Sequence, residues 1–201
     1  MTSTTVANTV FTISLIPFLT AFFSFLILKE KLAKITIFTM LLAFGGVLIM
    51  FYGVLLIGAF WGNILALFAA ICFSIFTIIL RRNKNIDMLP CLLISGIIAM
   101  ALSLFQKMGS LQISSNDFYL CFILGAVLSG FVNCCFVFAT RHLMAAEVTL
   151  FFFIEIALSP FWVWLFLNEY TTFNTLIGGI IILISILLRS IYLLLTKRKI
   201  N

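Results

Sequence analysis

Glu155 is the residue of this sequence best placed to do chemistry. It stands in an apolar run at 146–167, nine residues from its start and twelve from its end. A helix crossing a bilayer would carry it near the midplane. An unpaired charge at that depth costs several kcal/mol, and ionisable residues inside a membrane are functional candidates by default. Helical spacing puts Phe151, Phe152, Ser159 and Trp162 on the same face. Such a carboxyl can couple to proton movement or contact a cation. Kept neutral, it can instead hydrogen-bond a neighbouring helix and hold a bundle together.

Weaker polar candidates share this double reading. Asn133 has Ser129, Gly130 and Thr140 on its face, and an amide in hydrocarbon either bonds a neighbouring helix or lines a wet cavity. Asn63, Ala66, Ala70, Ser74 and Thr77 form a stripe at i, i+3, i+4 spacing, fitted to close packing or to cavity lining. Thr5, Asn8 and Thr12 share a face near the amino end, where Asn8 could cap a helix or mark a polar cavity entrance. The small residues Thr39, Ala43, Gly46 and Gly53, and the pair Gly178-Gly179, suit packing against another helix or against the second chain of a homodimer.

Metal and catalytic chemistry find little support. The five cysteines, Cys72, Cys91, Cys121, Cys134 and Cys135, form no C-x-x-C pair, and the chain has one histidine. That excludes a conventional zinc site. Free thiols packed as small hydrophobes are expected, with no metal and no cofactor. No H-E-x-x-H occurs, both aspartates (Asp87 and Asp117) fall between apolar runs, and His142 stands beside Arg141 at an interface. An enzyme is not expected. A seven-helix retinal receptor is disfavoured too, since the last run has no lysine for the link.

These residues must be held by membrane helices. Of 201 residues 64% are hydrophobic and 9% charged, against roughly 25% charged in soluble domains, and the mean hydropathy is +1.31. Seven apolar runs stand near 6–28, 35–57, 61–80, 88–106, 118–140, 146–167 and 173–195. At about 20 residues per span they use about 140 residues, which leaves no room for a sizeable soluble domain or for nucleic-acid binding. The runs are apolar all round, without the alternation of a membrane β-barrel. The fold class expected is an all-α polytopic membrane protein of seven transmembrane helices.

Basic residues set the direction. Lys29, Lys31, Lys34, Arg81, Arg82, Lys84, Arg141, Lys197, Arg198 and Lys199 fall on one side, and only Lys107 on the other, with Arg189 near the end of the last run. The positive-inside rule puts the ten in the cytoplasm, the amino terminus outside and the carboxyl terminus inside. Lys197-Arg198-Lys199 reads as an anchor to anionic headgroups. The first run has no basic residue before it and three soon after, the reverse of a secretory signal peptide.

The chain also repeats itself. Ile16-Pro17-Phe18 through Leu28-Lys29-Glu30 is similar to Glu155-Ile156-Ala157 through Leu167-Asn168-Glu169, at an offset of 139 residues. Glu30 would lie on the cytoplasmic side and Glu169 on the outer side, so the copies are inverted, as in many secondary transporters.

With these residues the chain resembles the drug/metabolite transporter superfamily in its EamA-domain branch. The resemblance rests on Pro17 and Leu28-Lys29-Glu30-Lys31-Leu32, on Gly62 to Ala70, on Ala139-Thr140-Arg141-His142-Leu143, and most of all on Phe153-Ile154-Glu155 to Leu167-Asn168-Glu169. It implies a ten-helix plan of two inverted five-helix repeats, of which this chain would hold helices four to ten. Residues 1–57 would then be the two-helix end of the first repeat and 58–201 the whole second repeat. The family often has proline after the midspan glutamate; here Ile156 stands there, with Pro160 one turn on. The resemblance implies alternating-access transport of a small organic solute, with the lipid bilayer as partner; coupling to protons is the reading of Glu155 itself. A truncated, inactive remnant of such a transporter is the alternative. A bacterial inner or plasma membrane is the expected location.

Overall fold

Hydrocarbon offers the backbone no partners, so each spanning segment must satisfy its own N–H and C=O groups. The computed structural model describes residues 6–52, 60–106, 115–167 and 172–198, and among them every regular element is helical. The helices are α1 (Val6–Ile13), α2 (Ile16–Phe23), α3 (Lys34–Met50), α4 (Phe60–Arg82), α5 (Leu89–Gln106), α6 (Ser115–Phe122), α7 (Gly130–His142), α8 (Ala145–Thr149), α9 (Phe152–Leu167) and α10 (Phe173–Arg198). Wide π turns extend α2 over Ser24–Leu28 and join α6 to α7 over Ile123–Ser129. Among the described residues five segments are long and apolar enough to cross a membrane: Thr9–Leu28, Trp61–Arg82, Asp117–His142, Ala145–Trp162 and Phe173–Leu193. Two shorter apolar runs, Lys34–Met50 and Leu89–Ser103, occupy the remaining expected positions. The chain is an all-α polytopic membrane protein. The side chains of Asn8, Lys197 and Arg198, together with Gly53, Glu169 and Lys199, lie outside the described residues.

The chain divides into two compact units, residues 1–78 with 144–201, and residues 79–143. This grouping by contact differs from the repeat boundary expected after residue 57, which concerns ancestry rather than packing.

In the first unit the core joins α3, α9 and α10, with Met40, Ala43, Val47, Phe153, Ile156, Ile182 and Ile186 buried together. The two small-residue stripes meet each other. A Cβ on Gly178 would run into the Gly46 carbonyl oxygen, and one on Gly46 would come 2.8 Å from the Gly178 oxygen. Only glycine lets α3 and α10 approach so closely. Gly179 faces α9 instead, where a Cβ would sit 3.2 Å from the Ala157 oxygen.

Two spans of this unit are broken. Span one is interrupted at Ser14-Leu15, and Pro17 sits in the first turn of α2, where its missing N–H leaves no gap. Span six is interrupted at Leu150-Phe151, where Phe153 N–H turns to the Leu150 carbonyl (3.1 Å) and Ile154 N–H to that of Phe151 (3.0 Å). α2 packs against α8. At the far end of α2, Lys29 adopts a left-handed conformation (φ 55°), and the chain returns so that Ser24 Oγ donates to Glu30 Oε2 at 3.0 Å.

In the second unit, α5 packs on α7, and arginines in the last turns of α4 and α7 form a network with the loop residue Asp87. Arg81 donates to the carbonyls of Thr140 (3.3 Å) and Arg141 (3.0 Å), and Arg141 pairs with Asp87 at 2.6 Å. Cysteine burial was misjudged. All five thiols are exposed on helix surfaces, because lipid is itself apolar and a small hydrophobe gains little by leaving it.

Candidate functional site

The two helix breaks and α4 surround a cavity of about 360 Å³ in the first unit. Val10, Ile13 and Ile16 line it from either side of the first break; Ala69, Ala70 and Phe73 come from α4; Phe152, Glu155, Ile156 and Ser159 follow the second break. Its volume is at the lower end of the roughly 300–1,000 Å³ usual for small-molecule pockets. The Phe73 and Phe152 rings meet edge to face, 5.2 Å apart at 85°. A shallower groove of about 680 Å³ adjoins, lined by Phe151, Ile154, Glu155, Leu158, Ser159 and Trp162.

Glu155 and Ser159 are the polar groups common to both spaces. The Glu155 side chain is exposed, and its carboxylate has no hydrogen bond or ion pair among the described residues. Ser159 is half-buried, and its Oγ donates to the Ile156 carbonyl at 2.9 Å. That carbonyl is the one α9 leaves unsatisfied, since Pro160, four residues on, has no N–H to give it. The serine hydroxyl thus stands in for the missing amide and lets α9 run on through the proline.

The other expected site residues are elsewhere. Trp162 stands half exposed in the groove, not in the cavity. Thr12 is buried in α1 between two lining residues without lining the cavity itself. Ser74 and Thr77 are fully buried in α4 and are not among the residues lining either space. Ser74 Oγ donates to the Ala70 carbonyl (2.8 Å) and to that of Ile16 (3.4 Å), tying α4 to the start of α2, and Thr77 Oγ1 donates to Phe73 (2.9 Å). Asn133 belongs to the second unit, is exposed, and donates its amide to Ser129 of its own helix at 2.9 Å. It therefore joins no neighbouring helix through that bond.

One charged group escaped the sequence reading. Arg189 of α10 is 6% exposed and pairs with Glu147 of α8, while its Nε donates to Thr36 Oγ1 of α3 at 3.3 Å. A lone arginine inside an apolar run had to have a carboxylate partner, and that requirement was the available signal.

Residues 60–191 match the EamA-like transporter family. Among curated proteins none matches the sequence. The family's members are membrane transporters rather than enzymes, which agrees with a spanning helical chain whose broken helices enclose a cavity with a carboxylate. Matched over well more than half its length, from the third span into the seventh, the chain belongs to the EamA-like transporter family.

Proposed function

We propose that this protein moves a small organic solute by alternating access, that the solute binds in the cavity beside Glu155, and that the carboxylate meets either a proton or the solute's positive charge. The observation that carries this is an unpartnered carboxylate opening into a cavity between two helix breaks whose lining is apolar apart from Glu155 and Ser159. Hydrocarbon does not tolerate that charge for nothing, and discontinuous helices are where transporters of several folds bind their cargo. The pairing of elements supports an inverted repeat. At the 139-residue offset α3 (residues 34–50) corresponds to residues 173–189 of α10, and these two counterparts pack on each other. A two-fold axis in the membrane plane between them would give that arrangement. In this reading the basic end faces the cytoplasm, and the amino terminus lies outside.

Three solutes of one shape and three charges test the site: benzylamine as its cation, benzyl alcohol and benzoate. In proteoliposomes of the full chain, binding should fall in that order at neutral pH. An ammonium–carboxylate contact is worth about 1.5–3 kcal/mol, or roughly tenfold to hundredfold in affinity. Glu155→Gln should flatten the order and abolish uptake driven by a pH gradient while the protein still folds. Benzoate bound best, or an order unchanged by Glu155→Gln, refutes the assignment.

A further inference from the structure

Arg189 and Glu147 are charged and largely buried, yet neither lines the cavity. Arg189 Nη2 donates to Glu147 Oε1, Arg189 Nε to Thr36 Oγ1, and the second carboxylate oxygen of Glu147 accepts the Met144 amide at 3.4 Å. A buried ion pair contributes little to stability compared with apolar residues of the same size. Its distinct effect is to select one geometry, here α8 held against α3 and α10.

The position of α8 gives that geometry a purpose. The helix ends at the Leu150-Phe151 break, and the cavity lining of this span starts immediately beyond, at Phe152. α2 follows the break of span one, with cavity-lining Ile16 at its start and the basic Lys29-Glu30-Lys31 beyond its other end. α2 and α8 pack together, and Thr20, Ser24, Ala145, Ala146, Val148 and Thr149 are all buried. The path from the cavity to the basic end of the unit is therefore filled by α2 lying on α8. Thr20 Oγ1 is buried there with no hydrogen-bond partner, a polar group that gains water when its surroundings open.

We propose that α8 is a gate closing the cavity toward the basic end, hinged at Leu150-Phe151, and that the Arg189–Glu147 pair is its latch, steadied by Thr36. The inference rests on the transport reading above. Opening moves α8 off α2, separates the two charges into entering water and hydrates the Thr20 hydroxyl. The break already lacks regular α-helical hydrogen bonding, so the bend falls where the backbone resists least.

The test follows access, not transport. The five native cysteines are replaced by alanine in the full chain, and Ala70→Cys reports entry of a membrane-impermeant maleimide from either side of sealed vesicles. With Glu147→Gln, labelling from the basic side should accelerate at least roughly tenfold, while labelling at a Lys84→Cys control stays constant. Thr36→Val, a milder change that removes only the hydroxyl facing Arg189, should raise it less and in the same direction. It also serves if Glu147→Gln does not fold. Unchanged basic-side labelling in folded variants overturns the gate and leaves the pair a static brace. The solute charge series can fail without altering this result, so the two readings stand or fall separately.

Discussion

Ser159→Ala is informative because Pro160 sets its cost. In the native helix the Ser159 hydroxyl is the donor to the Ile156 carbonyl, and removing it leaves a carbonyl in apolar surroundings without a partner. A fully buried group would cost about 1–3 kcal/mol. Ser159 is half-buried, which places the loss in the lower part of that range, about 1–2 kcal/mol. For a chain of 150–250 residues each kcal/mol moves Tm by about 2–4 °C, so Ser159→Ala should melt roughly 2–8 °C below the parent. In a Pro160→Ala background the residue-160 amide resumes its ordinary bond to Ile156. There Ser159→Ala should cost no more than about 0.5 kcal/mol. The four proteins of the cycle are compared by size-exclusion chromatography after heating in detergent. An equal loss in both backgrounds refutes the substitution of hydroxyl for amide, and would return Ser159 to the cavity as a solute contact.

Gly178→Ala should destabilise by about 1–3 kcal/mol, because its Cβ would meet backbone rather than a movable side chain. Gly45→Ala, one residue from the seam and with no atom within 4 Å of the added carbon, should be neutral or stabilising by up to about 1 kcal/mol; thermal melts of the pair check both signs. Asp87→Ala breaks an ion pair whose side chains are 30% and 62% exposed, so the melt should change by less than about 1 kcal/mol. Cysteine labelling or reporter fusions at Lys84 and Lys197 should report the cytoplasm, and an external signal at either refutes the expected direction.

The seven apolar runs were legible because lipid makes the simplest demand on a sequence: length and the absence of charge. The breaks were less so. Pro17, which fits the first turn of a new helix, was the one local sign of the break at Ser14-Leu15, and no proline or glycine marks the break at Leu150-Phe151. Glu155 and Ser159 could be found because a carboxylate and its helical neighbours stand out against hydrocarbon. Arg189 and Glu147 are 42 residues apart, and Arg189 stands near the end of an apolar run, so no local pattern links them. The small-residue stripes were recognised as packing surfaces, but a stripe does not name the surface it meets. The cysteines misled for a physical reason. Their burial habit is learned from proteins in water, and it does not hold where the solvent is as apolar as the core.

The seam between Gly46 and Gly178 has a mechanical consequence. Two helices whose backbones come this close at Gly46, Met50 and Gly178 resist sliding along each other, since a Cβ carried to either glycine's place would meet the facing backbone. Gradual shear, the route by which many packed helices accommodate motion, is closed to α3 and α10. They form a rigid spine, and any change of shape in their unit must be concentrated into rotation at the two interrupted spans.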